Sequence, residues 1–220
     1  MNLNEFINQM KNRGLPLDVV YDIGSWKGNW SRDLKNSVLP DSKFILFEAN
    51  PAYNGDLAHS GFQYFNTVLS NPGREYVDFY NGTNTGDSYY KETTGFYDNQ
   101  TSIQLPCKTL DQLIQENDLP CPNFIKIDTQ GSELDILSGA TSIINRVDLI
   151  YTELPIVCYN KGAPGLQEYL EFFRQHKFIP IDILETHHGE DTLIQMDIMF
   201  MRYDTKARLL GPNNLIRPFE

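Results

Sequence analysis

The chain has 220 residues, 40% hydrophobic and 12% aromatic, which suffices for one packed α/β domain and leaves little room for a second. Eighteen basic against 29 acidic residues give a net charge of −11, and this excludes a protein that tracks nucleic-acid phosphates through clustered Lys and Arg. No apolar run approaches the roughly 20 residues that span a bilayer, and Met1–Gly14 lacks a signal-peptide core, so the expected compartment is the cytoplasm. Three scattered cysteines, Cys107, Cys121 and Cys158, form no CxxC pair and fit a reduced protein without a structural zinc site.

Leu3, Phe6, Ile7 and Met10 recur at helical spacing before Gly14 and predict a short covering helix. The β-branched run Leu17–Ile23 predicts a strand, Asn29–Ser37 a helix, and Phe44–Phe47 a second strand ending at Glu48. Strand, helix and strand at this spacing form a βαβ unit with a parallel sheet. Phe62–Leu69 reads as a third strand and Glu75–Tyr80 as a fourth extended piece. The Gly-, Asn-, Thr- and Tyr-rich stretch Asn81–Gln100 reads as a long loop of functional character. A short strand at Ser102–Leu105 precedes a helix opened by the capping box Thr109-Leu110-Asp111-Gln112. Buried strands follow at Phe124–Asp128 and Leu149–Glu153, then a helix over Gly165–His176. Phe178–Leu184 and Leu193–Arg202 predict an antiparallel hairpin turning at His187–Asp191, with Pro180 placing the first of the two at the sheet edge.

Three segments carry chemistry. In Asp22-Ile23-Gly24-Ser25-Trp26-Lys27-Gly28 the glycines let the backbone turn tightly beside a ligand, and Asp22 offers an acceptor at a strand's carboxyl end. The spacing is DxGxxxG, not the GxGxxG of dinucleotide binders; an acidic entry suits a cationic or amine-bearing ligand, while the bland alternative is a plain β-to-α turn. Glu48, in Phe47-Glu48-Ala49-Asn50-Pro51, stands where a carboxylate takes both hydroxyls of a ribose, or else answers a helix dipole. In Ile125-Lys126-Ile127-Asp128-Thr129-Gln130-Gly131-Ser132-Glu133-Leu134, Lys126 and Asp128 share one strand face, and a buried lysine there needs Asp128 or Glu133 as partner.

These segments, DIGSWKG, FEANP and IKIDTQGSEL in this order, resemble the FkbM-type methyltransferases over residues 17 to 202. The resemblance implies a Rossmann-like class I methyltransferase fold: α/β, with a seven-stranded, mostly parallel sheet and a C-terminal antiparallel hairpin. It also implies S-adenosylmethionine as cofactor and O-methylation of sugars or secondary metabolites. By resemblance Asp22, Gly24, Ser25 and Gly28 belong to the methionine side of the pocket, Glu48 to the ribose, and Leu69 to the turn near the adenine. Where the family usually reads IKIDVEGAEL, Thr129 and Gln130 depart, and Gln130 replaces an acid.

Methyl transfer needs an aligned oxygen and a base. Asp128 and Glu153 end strands that face the crevice and are the candidate bases, with Lys126 beside them. Two such acids have the chemistry to hold Mg²⁺, but nothing in the spacing requires a metal, and none is assigned. His187 and His188 read as solvated turn residues. Tyr80, Tyr89, Tyr90, Phe96 and Tyr97 are candidates for an acceptor lid, and Trp26 and Trp30 either wall the pocket or pack the core.

The expectation is one methyltransferase domain over 1–220, with a covering helix at 1–16, an acceptor loop at 81–100 and a tail at 203–220. Its partner is a small-molecule or glycan acceptor, with no nucleic acid and no membrane span; oligomeric state is open. The competing readings are a polyketide-tailoring O-methyltransferase, a nicotinamide-dependent oxidoreductase, which the missing GxGxxG disfavours, and a binding module with a decayed site.

Overall fold

The computed structural model describes residues 1–82, 86–94 and 101–210. Strands β1 (Val19–Ile23), β2 (Lys43–Glu48), β3 (Gln63–Asn66), β7 (Phe124–Ile127), β8 (Leu149–Pro155), β9 (Phe178–Gly189) and β10 (Thr192–Arg202) form one sheet in the order β3-β2-β1-β7-β8-β10-β9. β1 pairs in parallel with both β2 and β7, β7 in parallel with β8, and β10 runs antiparallel to β8 and β9. This is the expected class I methyltransferase sheet with its terminal hairpin. Strand order reverses between β1 and β7, so a ligand crevice opens at their carboxyl ends.

Alternation along the strands fills both faces. Tyr21, Ile23, Phe47, Ile127 and Phe200 pack beneath helices α4 (Leu110–Asn117), α5 (Glu133–Ser138) and α6 (Leu166–Gln175). Val20, Leu46, Phe124 and Met199 pack beneath α1 (Leu3–Asn12), α2 (Asn29–Ser37) and α3 (Asn54–Ala58), through Phe6, Ile7, Met10, Leu34 and Leu57. α4 opens as its sequence predicts: Thr109 Oγ1 accepts the Gln112 N–H (3.1 Å) and Gln112 Oε1 accepts the Thr109 N–H (2.8 Å).

The expected strand Phe62–Leu69 is two strands in two sheets. β3 pairs with β2 only as far as Glu48–Asn66, where the Asn66 side-chain amide donates to the Glu48 (2.9 Å) and Asn50 (3.0 Å) carbonyls. The chain then leaves the large sheet, and β4 (Val68–Leu69) joins a small one in the order β4-β6-β5, with β5 at Tyr76–Asn81 and β6 at Thr101–Lys108. β6 runs beyond the predicted Leu105 because β4 does not pair with it before Cys107, so Pro106 withdraws no bond from that side. The hairpin is longer than expected. β9 continues through His187 and His188 to Gly189, which makes both histidines strand residues and confines the turn to Glu190 and Asp191. Residues 203–210 form a helix, α7 (Tyr203–Leu210). The tail expected at 203–220 therefore begins as a helix, and its part beyond 210 lies outside the described residues, as do 83–85 and 95–100 of the expected acceptor loop. Among the described residues no helix is long and apolar enough to cross a membrane.

Candidate active site

The ends of β1 and β7 are locked against each other. The Asp128 N–H donates to Ile23 O (3.1 Å), and a Cβ on Gly24 would lie 1.8 Å from Asp128 O, so no other residue fits there. Lys126 ties the same junction: its ammonium donates to Gly24 O (2.7 Å) and lies 3.3 Å from Asp22 Oδ1 and 3.8 Å from Asp128 Oδ2. Burial pulls the Lys126 pKa down, but Asp22, Asp128 and Glu48 outweigh it and leave the group above its usual range, a fixed cation and not a base. Two residues expected in the pocket lie behind it. Asp22 is fully buried, and its carboxylate is spent on Lys126 and on the Ser31 hydroxyl (2.6 Å). Gly28 starts α2 at φ 74° and lets the helix approach Leu46, whose side chain a Cβ would meet at 2.9 Å. Glu133 does not reach Lys126 either. It accepts the Thr129 (2.7 Å) and Gly131 (3.0 Å) N–H groups and the Tyr169 hydroxyl, and so shapes the turn after β7.

An inner cavity of about 240 Å³ opens at this junction. Gly24, Ser25, Glu48, Leu69, Lys126 and Asp128 line it, together with Tyr53, Asp87, Ser132 and Ile136, which the sequence does not single out. Trp26 is a wall residue, held at φ 50°. Glu48 is 7% exposed and is gripped from both sides: Oε2 accepts the Trp26 N–H and Oε1 the Asn50 N–H, each at 2.7 Å. Burial nonetheless pushes its pKa up to about 7. The donor set fits S-adenosylmethionine. Glu48 retains lone pairs for two hydroxyl donors, and the buried Ser25 Oγ and Thr129 Oγ1 have no hydrogen-bond partner within the described protein, which leaves both for a polar ligand.

An outer cavity of about 890 Å³ adjoins the inner one, and Trp30, Lys126 and Asp128 line both. Trp30 stacks on Tyr151 with centroids 6.4 Å apart and planes at 16°. Here Gln130, which stands in the left-handed region at φ 55°, bridges the two candidate bases: its amide donates to Asp128 Oδ1 (3.0 Å) and Glu153 Oε1 (3.1 Å). Gln195 donates to the same Glu153 oxygen and to the Tyr159 hydroxyl oxygen. Burial, with Asp128 and Asp197 nearby, raises the Glu153 pKa to about 9. Asp197 accepts from the Tyr151 hydroxyl (3.0 Å) and lies 3.5 Å from His187 Nε2. His187 thus faces the cavity. Gln195 and Asp197 were missed, although they stand opposite the apolar Ile194, Met196 and Ile198 in β10 and so had to face the other side of the sheet.

The 86–94 segment roofs both cavities: Asp87, Ser88 and Tyr89 line the inner one, Gly86, Glu92 and Thr94 the outer one. Asp135 anchors it, accepting the Tyr89 and Tyr90 hydroxyls (3.0 Å each) and pairing with Arg74 (3.2 Å). Tyr89 therefore lines the inner cavity and not the outer one. Phe96 and Tyr97 lie outside the described residues.

The fold resembles that of a methyltransferase FkbM from Methylobacillus flagellatus, with a TM-score of 0.52 and 14% identity over 84% of this chain and 43% of that one. A METTL16 methyltransferase domain gives 0.51 and 9% over 90% and 65%. In sequence, the hexuronic acid methyltransferase AglP of Haloferax volcanii is 25% identical over 139 residues, 62% of this chain. The match spans only 56% of that relative's length. The model of the methyltransferase FkbM domain matches residues 18–180. With that match covering most of its length, the chain belongs to the FkbM methyltransferase family.

Proposed function

We propose that the chain is an S-adenosylmethionine-dependent O-methyltransferase acting on a hydroxyl of a sugar or glycan precursor. The observation that carries this reading is the position of Asp128, on the wall between a cavity fit for the cofactor and a larger one open to an acceptor. When bound, S-adenosylmethionine supplies a methyl group already activated by its sulfonium. Glu48 would hold the ribose hydroxyls, with Ser25 and Thr129 as further polar partners. Asp128 takes the proton of the acceptor hydroxyl, oriented by Gln130 on one oxygen and by the Lys126 charge on the other. Glu153, whose oxygen is already bonded by Gln130 and Gln195, serves as a hydrogen-bonding group and not as the base.

The outer wall supports a neutral acceptor. Glu92, Asp128, Glu185 and Asp197 line it, while the Lys126 charge is shared between Asp22 and Asp128. With no cation bound there, a uronate carboxylate, the substrate class that AglP's name implies for AglP, would enter against this field; a neutral polyol would not. Trp30 and Tyr159 supply aromatic surface for its apolar face.

Incubation of the full chain with methyl-labelled cofactor and a panel of neutral glycosides, amino sugars, uronates and polyphenols tests the reading. Label on a neutral sugar oxygen is the expected result. Label confined to nitrogen or to polyphenols overturns the acceptor class, and absence of cofactor binding overturns the reaction.

A further inference from the structure

We propose that Glu153, His187 and Asp197 form a binding site for a first-row divalent cation, such as Mn²⁺ or Zn²⁺, at the outer cavity. The site's existence is independent of the methyltransferase reading above; its purpose, holding the acceptor, rests on that reading.

The three groups come from three neighbouring strands, β8, β9 and β10, and each offers one ligand atom, all within 4.8 Å of one another. His187 Nε2 and Asp197 Oδ2 are 3.5 Å apart. Metal–ligand bonds of about 2.1 Å at tetrahedral angles separate neighbouring ligand atoms by about 3.4 Å, so this pair already stands at coordinating distance.

The sheet supplies a separate reason. Asp197 lies directly opposite Glu153 on β8 and directly opposite Glu185 on β9, three acids in one cross-strand row. Like charges so placed oppose strand pairing. The nearby fixed cation, Lys126, is committed to Asp22 and Gly24, and it lies two strands from Asp197. An imidazole joined to the row changes its chemistry from that of a plain acidic patch to a mixed nitrogen and oxygen donor set, which suits Mn²⁺ or Zn²⁺ better than Ca²⁺.

The surrounding groups orient the ligands as outer partners do around a metal. The Tyr151 hydroxyl donates to Asp197 (3.0 Å), and the Gln130 and Gln195 amides both donate to Glu153 Oε1, so that neither engages Oε2. Three protein ligands leave coordination positions open, and the same three residues line the outer cavity. Vicinal hydroxyls of a polyol would chelate there, beside Asp128.

The test reads the ion itself. Chelator-stripped full chain is titrated with Mn²⁺ alone and with Zn²⁺ alone, using calorimetry for both and the electron paramagnetic resonance of free ion for Mn²⁺. The expected result is one ion per chain, weakened about tenfold or more by His187→Ala and by Asp197→Asn. His187→Gln serves if His187→Ala fails to fold by circular dichroism. No binding at millimolar ion, or undiminished binding in the His187 variants, overturns the site. Ion binding with no methyl transfer counts against the acceptor reading alone; cofactor binding with no ion counts against this site alone.

Discussion

The two cavities share Lys126, Asp128 and Trp30 but are built by opposite means. The inner one is centred on the parallel half of the sheet, at the ends of β1, β2 and β7, and its Glu48 carboxylate is held by backbone amides, with Asp87 and Asp128 on the same lining. The outer one is made where β8, β10 and β9 run antiparallel, and it gathers acids from three strands across a row. The first is a preorganised cradle of nearly fixed geometry. The second stores electrostatic tension that an acceptor, a proton or a cation relieves. Chemistry common to a family belongs in the first kind of site, and selectivity in the second.

The sharpest way to break this division is at the shared wall. Asp128→Asn is expected to lower kcat by about 10²–10⁴-fold while leaving the affinity for S-adenosylmethionine within a few-fold, measured by calorimetry beside steady-state turnover. Equal losses in both would make Asp128 a binding group only. Next in size, Glu48→Ala removes the carboxylate proposed to hold the ribose and should weaken cofactor binding by about 100-fold.

A smaller effect sharpens the same contrast through pH. Hydroxyl donors favour the ionised form of Glu48, whose pKa stands near 7 because of burial. Affinity should therefore fall as pH drops from about 7, approaching tenfold per unit, and be flat above about 8. Adenosine, which carries no titrating amine, is the probe, and Glu48→Gln should abolish the slope.

The smallest effect tests the tension in the outer cavity. Glu153 has a pKa of about 9 in the folded chain against an ordinary 4.5. Its contribution to folding is complete below about 4.5 and is lost as pH rises towards 9. Glu153→Gln, neutral throughout, should raise Tm in metal-free buffer at pH 8, and hardly at all near pH 5. A variant less stable at pH 8 would show the carboxyl to be an asset to the fold.

The sequence exposes the inner cavity far better than the outer one, for a physical reason. Gly24, Ser25, Glu48, Lys126 and Asp128 sit at strand ends in short contiguous motifs, where one turn fixes what faces the crevice. Asp22 and Gly28 belong to those motifs yet serve the scaffold, because spacing does not tell a ligand's partner from a lysine's partner. Gln195 and Asp197 meet Glu153 only through the register of β10 on β8, where the partners Asp197 and Glu153 lie 44 residues apart, and His187 joins them through the bulged pairing of β9 with β10. The split of Phe62–Leu69 into two sheets was hidden likewise, since its apolar residues suit either sheet and the departure is set by Asn66 bonding back to Glu48 and Asn50.

The roof segment 86–94, pinned by Asp135, touches both cavities with one piece of chain. Any displacement of that piece by an occupant of one side is a displacement of the other side's wall. The two affinities are then joined by a single coupling free energy, equal in both directions. The factor by which cofactor tightens or loosens the acceptor must be the factor by which acceptor does the same to cofactor, and severing the Asp135 anchor should move both together.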